Sequence, residues 1–200
     1  MNLFGADPSL NLLPLDGTVN YFGPVLSAER ANHFYHQLLE TIAWKNDEAR
    51  IFGKHYITKR KAAWYGDAGY AYTYSNTTKQ ALPWTPELVD LKIVTEKITG
   101  VRFNSCLLNL YHDGNEAMGW HSDDEKSLGR NSIIASLSLG AERKFSFKHK
   151  ETGQTVSLNL EHGSLLVMKD ATQTHWLHRL NKSSKIKQPR LNLTFRTIVS

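Results

Sequence analysis

From residue 101 onward the apolar pattern of this sequence alternates or runs in short β-branched stretches, cut repeatedly by turn residues. A helical face needs apolar residues three and four apart, so this half of the chain reads as strands. The segments are Arg102–Tyr111, Asn131–Leu139, Lys144–His149, Thr155–Leu160, Ser164–Met168, His175–Leu180 and Leu191–Val199. His112-Asp113-Gly114, Gly140-Ala141, Thr152-Gly153 and Asn181-Lys182-Ser183 stand between several of them as turns. Short strands this closely spaced predict a β-sandwich or barrel.

The first half has a different period. Residues 1–25 are rich in Asn, Pro, Gly and Asp and read as loop and short strand. Ser27 can cap a helix, and Ala31, Phe34, Tyr35, Leu38, Leu39 and Ile42 then form one apolar face, predicting a helix over about 27–42. A second helix is predicted after Thr85, with Pro86 at its first position, Leu88, Leu91, Val94 and Ile98 as its stripe and Gly100 as its stop. Residues 50–75 are strand-like, with Tyr70, Tyr72 and Tyr74 alternating onto one face. Two helices ahead of a run of strands predict a mainly β fold with helices packed outside one sheet. The expected organisation is a single domain over 1–200: an N-terminal extension with two helices over 1–100, then a β core over 101–200.

Composition narrows the function classes. With 40% apolar and 22% charged residues the chain reads as globular rather than disordered. Apolar runs such as Leu165–Met168 are too short to span a membrane, and no Lys or Arg precedes an apolar stretch near the start. The lone Cys106 excludes a disulfide framework and a multi-thiolate zinc site, so an intracellular location is expected. Lys and Arg number 24 against 19 Asp and Glu, giving +5. The excess clusters at Lys54, Lys59, Arg60 and Lys61, and at Arg179, Lys182, Lys185, Lys187 and Arg190, with no acidic residue from 171 to 200. Clusters of this kind suit a polyanion such as nucleic acid, or are two solvated faces.

Two constellations carry chemistry. In Trp120-His121-Ser122-Asp123-Asp124-Glu125 the His121 and Asp123 side chains point the same way along an extended chain. An imidazole and a carboxylate on one side can hold a divalent metal from two corners, with His175 or His178 as the third ligand. Two histidines and one carboxylate leave three positions open, which suits Fe(II) that must bind a co-substrate and O₂. Alone, His-x-Asp matches many surface turns. In Arg190-Leu191-Asn192-Leu193-Thr194-Phe195-Arg196 the apolar residues alternate with Arg190, Asn192, Thr194 and Arg196. The arginines are roughly 20 Å apart along the strand. Facing inward, they would need anions, and a small dicarboxylate pairs well with guanidinium. Facing outward, they would be ordinary solvated cations.

Together these patterns resemble the AlkB-type Fe(II)/2-oxoglutarate dioxygenases over about residues 48–200. The resemblance rests on Leu107-Leu108-Asn109-Leu110-Tyr111, His121-x-Asp123, His162-Gly163-Ser164, His175-Trp176-Leu177-His178 and the Arg190–Arg196 segment. It implies a double-stranded β-helix, or jelly roll, with His121, Asp123 and His178 holding iron. Arg190 and Arg196 would take the two carboxylates of 2-oxoglutarate, helped by Asn109 and Tyr111, and His175 would be structural.

The segments Ala49–Lys54 and Trp64–Ser75 are similar to the homologues acting on duplex DNA. That similarity makes the N-terminal half a nucleotide-recognition segment. Phe52 would enter the base stack, or be a strand core residue. Tyr74 would stack on the flipped base against the His121 ring, Tyr72 would fix base or phosphate by its hydroxyl, and Glu125 would accept from an exocyclic amino group. Lys54 and Lys59–Lys61 would hold phosphates, while Asp124 reads as a solvated turn and Trp120 and Trp176 as packing. The implied activity is oxidative demethylation of 1-methyladenine and 3-methylcytosine in DNA, releasing formaldehyde and succinate. The same chemistry on RNA or another methylated substrate, and a non-enzymatic jelly-roll metal-binding module, stay open. A monomer is the simplest expectation, with a cytoplasmic location in a bacterium and a nuclear one in a eukaryote.

Overall fold

A computed structural model describes residues 6–51, 54–67, 71–74 and 77–199, and for 49–51, 54–56, 71–74 and 77–80 the backbone path alone. Along the chain run β1 (Thr18–Pro24), α1 (Ala28–Thr41), β2 (Lys45–Ile51), β3 (Lys54–Gly66), β4 (Ala71–Tyr74) and β5 (Thr77–Gln80). Then come α2 (Pro86–Thr99), β6 (Ser105–Tyr111), β7 (Met118–His121), β8 (Ile134–Gly140) and β9 (Arg143–His149). The last are β10 (Thr155–Leu160), β11 (Ser164–Lys169), α3 (Thr172–His175), β12 (Trp176–Leu180) and β13 (Arg190–Arg196).

The two long helices begin and end where their sequence signals lie. The Ser27 hydroxyl accepts the Arg30 amide at 3.3 Å, and the Thr85 hydroxyl accepts the Leu88 amide at 3.4 Å. Each satisfies an N–H that a helix start leaves without an intrahelical partner. Gly100 closes α2 at φ +70°, a left-handed backbone that suits glycine.

Seven antiparallel strands form one sheet in the order β1-β11-β8-β13-β6-β3-β2, and four form a second in the order β10-β9-β12-β7. This is the mainly β, jelly-roll architecture expected, with α1 and α2 outside the larger sheet. Strands from both sides of residue 100 share that sheet: β1 pairs with β11, and β3 pairs with β6. The period-two alternation of its central strands decides what lies on each face. Leu191, Leu193 and Phe195 of β13 pack with Leu108 and Leu110 of β6 and Leu137 and Leu139 of β8, beneath Phe34, Leu38, Leu88 and Leu91 of the helices. The opposite face meets the smaller sheet through a second core containing Trp64, Ile134, Leu166, Phe145, Phe147 and Trp176.

On that inner face the alternate residues are polar: Asn109 and Tyr111, Ser136 and Ser138, and Arg190, Asn192, Thr194 and Arg196. Burying such groups is costly unless each finds a partner. Some segment ends differ from the expected ones. His175 ends the one-turn α3, β12 begins at Trp176, and β13 runs from Arg190 to Arg196. Gly140, at φ +91°, lies opposite Arg190, and a Cβ there would meet the Pro189 carbonyl oxygen at 2.5 Å. Only glycine allows this close approach at the entry of β13, where Arg190 turns into the interior.

Candidate functional site

Strands β7 and β12 lie side by side, with His178 directly opposite His121. Asp123 follows two residues after His121. One ligand atom from each of His121, Asp123 and His178 lies within 4.8 Å of the others. The His121 Nδ1 sits 2.9 Å from the Gly119 carbonyl, so it donates there and leaves the Nε2 lone pair free. That Nε2 is 3.9 Å from the Asp123 carboxylate.

His178 is buried between Phe145 and Phe147, with ring centroids 5.6 and 6.2 Å away. Burial, followed by the charge of His121, pushes its pKa down to about 3. It therefore stays neutral near pH 7 and keeps a lone pair for a metal. Its Nδ1 has no hydrogen-bond partner among the described residues. Burial alone would raise the Asp123 pKa, but the Arg196 Nη2 lies 2.8 Å from its carboxylate and, with His178 and His121, holds it below the usual range. The Asp123 amide donates to Gln173 Oε1 at 2.9 Å, which anchors the turn after β7. Two imidazoles and an ionised carboxylate converging on one point are a donor set that fits a ferrous ion.

Of the two histidines that sequence left open, the strand register selects His178. His175 instead stacks on His149, centroids 6.1 Å apart and planes within 5°, beside Asp16. That second cluster makes a poor metal site. His149 Nδ1 accepts the Glu151 and Thr152 amides at 3.3 and 3.1 Å, so its proton sits on Nε2, 3.3 Å from Asp16. A protonated nitrogen has no lone pair to offer, and the group ties the N-terminal loop to β9.

Beside the candidate ligands lies a cavity of about 450 Å³. Arg190 and Arg196 both line it, with Asn109, Tyr111, Asn192 and Thr194. Arg190 is 2% exposed. One Nη donates to Ser138 Oγ and Asn192 Oδ1, each at 2.8 Å, while its Nε has no partner and no acidic side chain pairs with it among the described residues. Burial pushes its pKa down to about 10, so it remains a cation. A buried cation in this state calls for an anion, and a small carboxylate fits. The Tyr111 ring lies 5.7 to 5.8 Å from the guanidinium carbons of Arg60, Arg143 and Arg190. Arg143 has a structural use there: its guanidinium donates to the carbonyls of Asp113, Glu116 and Asn181, pinning two loops.

Glu125 lines the cavity, whereas Asp124 is exposed and accepts from Ser122. Trp176 is core, but Trp120 is half-buried beneath Arg179, whose guanidinium lies 4.4 Å from the ring. Phe52 lies outside the described residues. Tyr72 and Tyr74 belong to β4, of which the backbone alone is described. One expectation is corrected. Arg60 does not join Lys59 and Lys61 in a phosphate-holding group; it is buried, pairs with Asp47, and lines the cavity. Alternation explains this, because residue 60 faces opposite to 59 and 61. Asp47 and Trp64 also line the cavity and were not anticipated. The spacing Arg60-x-Ala62-x-Trp64 was the available signal, since all three share one face of β3.

Residues 18–196 match the family described as the 2OG-Fe(II) oxygenase superfamily. The chain is 44% identical over 160 residues to the DNA oxidative demethylase ALKBH2 of Mus musculus, covering 76% of this chain and 67% of that protein. It is 38% identical over 205 residues to ALKBH2 of Homo sapiens, covering 97% and 78%. The human alpha-ketoglutarate-dependent dioxygenase alkB homolog 3 is 42% identical over 183 residues, covering 86% of this chain and 63% of the relative. A solved structure titled "The structure of OsALKBH1" superimposes with a TM-score of 0.63 at 16% identity, covering 92% of this chain and all of that one, a likeness of fold.

Proposed function

Because the chain belongs to the 2OG-Fe(II) oxygenase superfamily and is an Fe(II)- and 2-oxoglutarate-dependent dioxygenase, we propose that it oxidatively demethylates alkylated bases in DNA. The carrying observation is the convergence of His121, Asp123 and His178 beside a buried arginine pair, in a chain 38–44% identical to proteins named DNA oxidative demethylases. In this reading the three side chains hold Fe(II), and Arg190 and Arg196 take the carboxylates of 2-oxoglutarate. When bound, iron with 2-oxoglutarate and O₂ would supply hydroxylation of an N-linked methyl group, one oxygen atom going to the methyl carbon and the other to the succinate left as 2-oxoglutarate loses CO₂; the hydroxymethyl product then releases formaldehyde.

The protein's own part is placement. Asn109 and Tyr111 complete the polar floor, while Phe145, Leu180 and Met118 keep bulk water from it. Trp64 lines the cavity, and Glu125 accepts from the exocyclic amino group of adenine or cytosine. Its negative charge also suits 1-methyladenine and 3-methylcytosine, which are cationic. A base in a duplex must leave the stack to reach such a cavity, at a cost of about a few kcal/mol. In this reading Phe52 fills the vacancy, Tyr74 stacks on the extruded base, and Tyr72 contacts it or its phosphate.

The test is formaldehyde release from a duplex bearing one 1-methyladenine, with and without Fe(II), beside single-stranded DNA and RNA arms. Iron-dependent release from DNA is the expected result; release from RNA alone would overturn the assignment. In the same assay Phe52→Ala lowers turnover on the duplex several-fold more than on the single strand. Equal loss on both rejects the wedge role.

A further inference from the structure

Asp47, Arg60 and Asn109 form a polar chain across three neighbouring strands, running from the outer hairpin to the cavity floor. Asn109 lies opposite Ala62 on β3, so Arg60, two residues away, shares its face. The Arg60 Nη1 donates to Asn109 Oδ1 at 2.7 Å, and its Nη2 pairs with the Asp47 carboxylate. All three residues are nearly buried, at 9, 9 and 6% exposure. The β2–β3 register shifts between Asn46 and Glu48, so Asp47 sits at an irregularity, the kind of feature that re-aims a side chain.

A guanidinium has donors and no acceptor, so only the oxygen end of a carboxamide can face it. Arg60 therefore fixes which way round Asn109 stands. Nδ2, with its two N–H groups, is turned away from Arg60, and no described residue accepts from it. Asn109 lies across from Asn192 and lines the same cavity as Arg190. We propose that Asp47 is a positioning residue for 2-oxoglutarate: by holding Arg60 it makes Asn109 present N–H donors, rather than carbonyl lone pairs, to the bound carboxylate. No other described acidic side chain pairs with Arg60. Without Asp47 the flexible guanidinium seeks another acceptor and the amide is free to flip. A flipped Asn109 sets its oxygen against the carboxylate and repels it. The inference rests on the co-substrate and is independent of whether the oxidised substrate is DNA.

The experiment is calorimetric titration of 2-oxoglutarate into the Fe(II)-loaded protein without O₂. Asp47→Asn weakens binding by at least about tenfold, the scale of one hydrogen bond to a charged group. Asn109→Ala weakens it similarly, and the double variant is no weaker than Asn109→Ala alone, because the two act in series. Affinity for Fe(II) itself stays within about twofold in every case, which general loosening of the fold would not allow. Asp47→Asn/Arg60→Gln removes the orphaned buried cation, so it recovers the melting temperature while the weak binding persists. Wild-type affinity in Asp47→Asn, additive losses in the double variant, or affinity restored by Asp47→Asn/Arg60→Gln each overturn the proposal.

Discussion

Asp123→Ala abolishes iron-dependent conversion of 2-oxoglutarate to succinate. The side chain is buried, held ionised by Arg196, and supplies the one negative charge of the candidate triad. Removing it leaves two imidazoles and no anionic ligand, a pair that binds Fe(II) far more weakly. Partners that merely orient metal ligands are worth roughly 10–100-fold in affinity or activity, so loss of a ligand exceeds about a hundredfold. Succinate formation and bound iron in the purified variant are the measurements, with a thermal melt to establish that the protein is folded. Full 2-oxoglutarate decarboxylation by a folded Asp123→Ala protein would sink the metal assignment, and the site would need another carboxylate.

Arg190→Met separates binding from stability. The guanidinium is fully interior, carries charge, and has neutral hydroxyl and amide partners only among the described residues. In the protein without co-substrate that arrangement is unfavourable, since an interior charge without a counter-charge costs several kcal/mol. Methionine, similar in reach and apolar, removes the cost. With 2-oxoglutarate present the balance reverses, because truncating one side of a buried charge pair costs about 2–5 kcal/mol. At tenfold per 1.4 kcal/mol, affinity falls by roughly thirty-fold to several thousand-fold. The expected pair of results is a melting temperature at or above wild type in the co-substrate-free protein and near-complete loss of 2-oxoglutarate binding by calorimetry. A variant that melts far below wild type, or binds 2-oxoglutarate normally, would show that Arg190 is a structural cation.

Much of this architecture was legible because its signals are local. Ser27 and Thr85 announce their helices through hydroxyls that meet amides three residues on. The alternation in Arg190–Arg196 assigns faces because side-chain direction repeats every two residues. It separates three apolar residues from four polar ones, and the structure decides what the sequence left open: the apolar three lie under the helices and the polar four face the interior. What stayed hidden depends on pairing between distant segments. The choice between His175 and His178 is made by the β7–β12 register, which no single segment encodes. Lys59-Arg60-Lys61 reads as a basic surface run until β3 is known to have a buried face. Counting by twos puts Asp47 on the same side of β2 as Lys45, opposite Ala62, but nothing within β2 says that this side is buried against Arg60. Strand β7 is four residues long, too short for any period to show.

The place of β13 within the larger sheet sets a constraint on biosynthesis. It lies between β8 and β6, and among the described strands no other joins the trio β1-β11-β8 to the trio β6-β3-β2. As the ribosome extends the polypeptide, each half can pair its own strands, but the halves have no seam until residues 190–196 emerge. Until then both carry an unpaired strand edge and greasy faces, the features that recruit chaperones or seed aggregates. A frameshift or stop codon upstream of residue 190 therefore removes the keystone of the whole β framework together with both arginines, and no shorter version of this sheet is left to rescue.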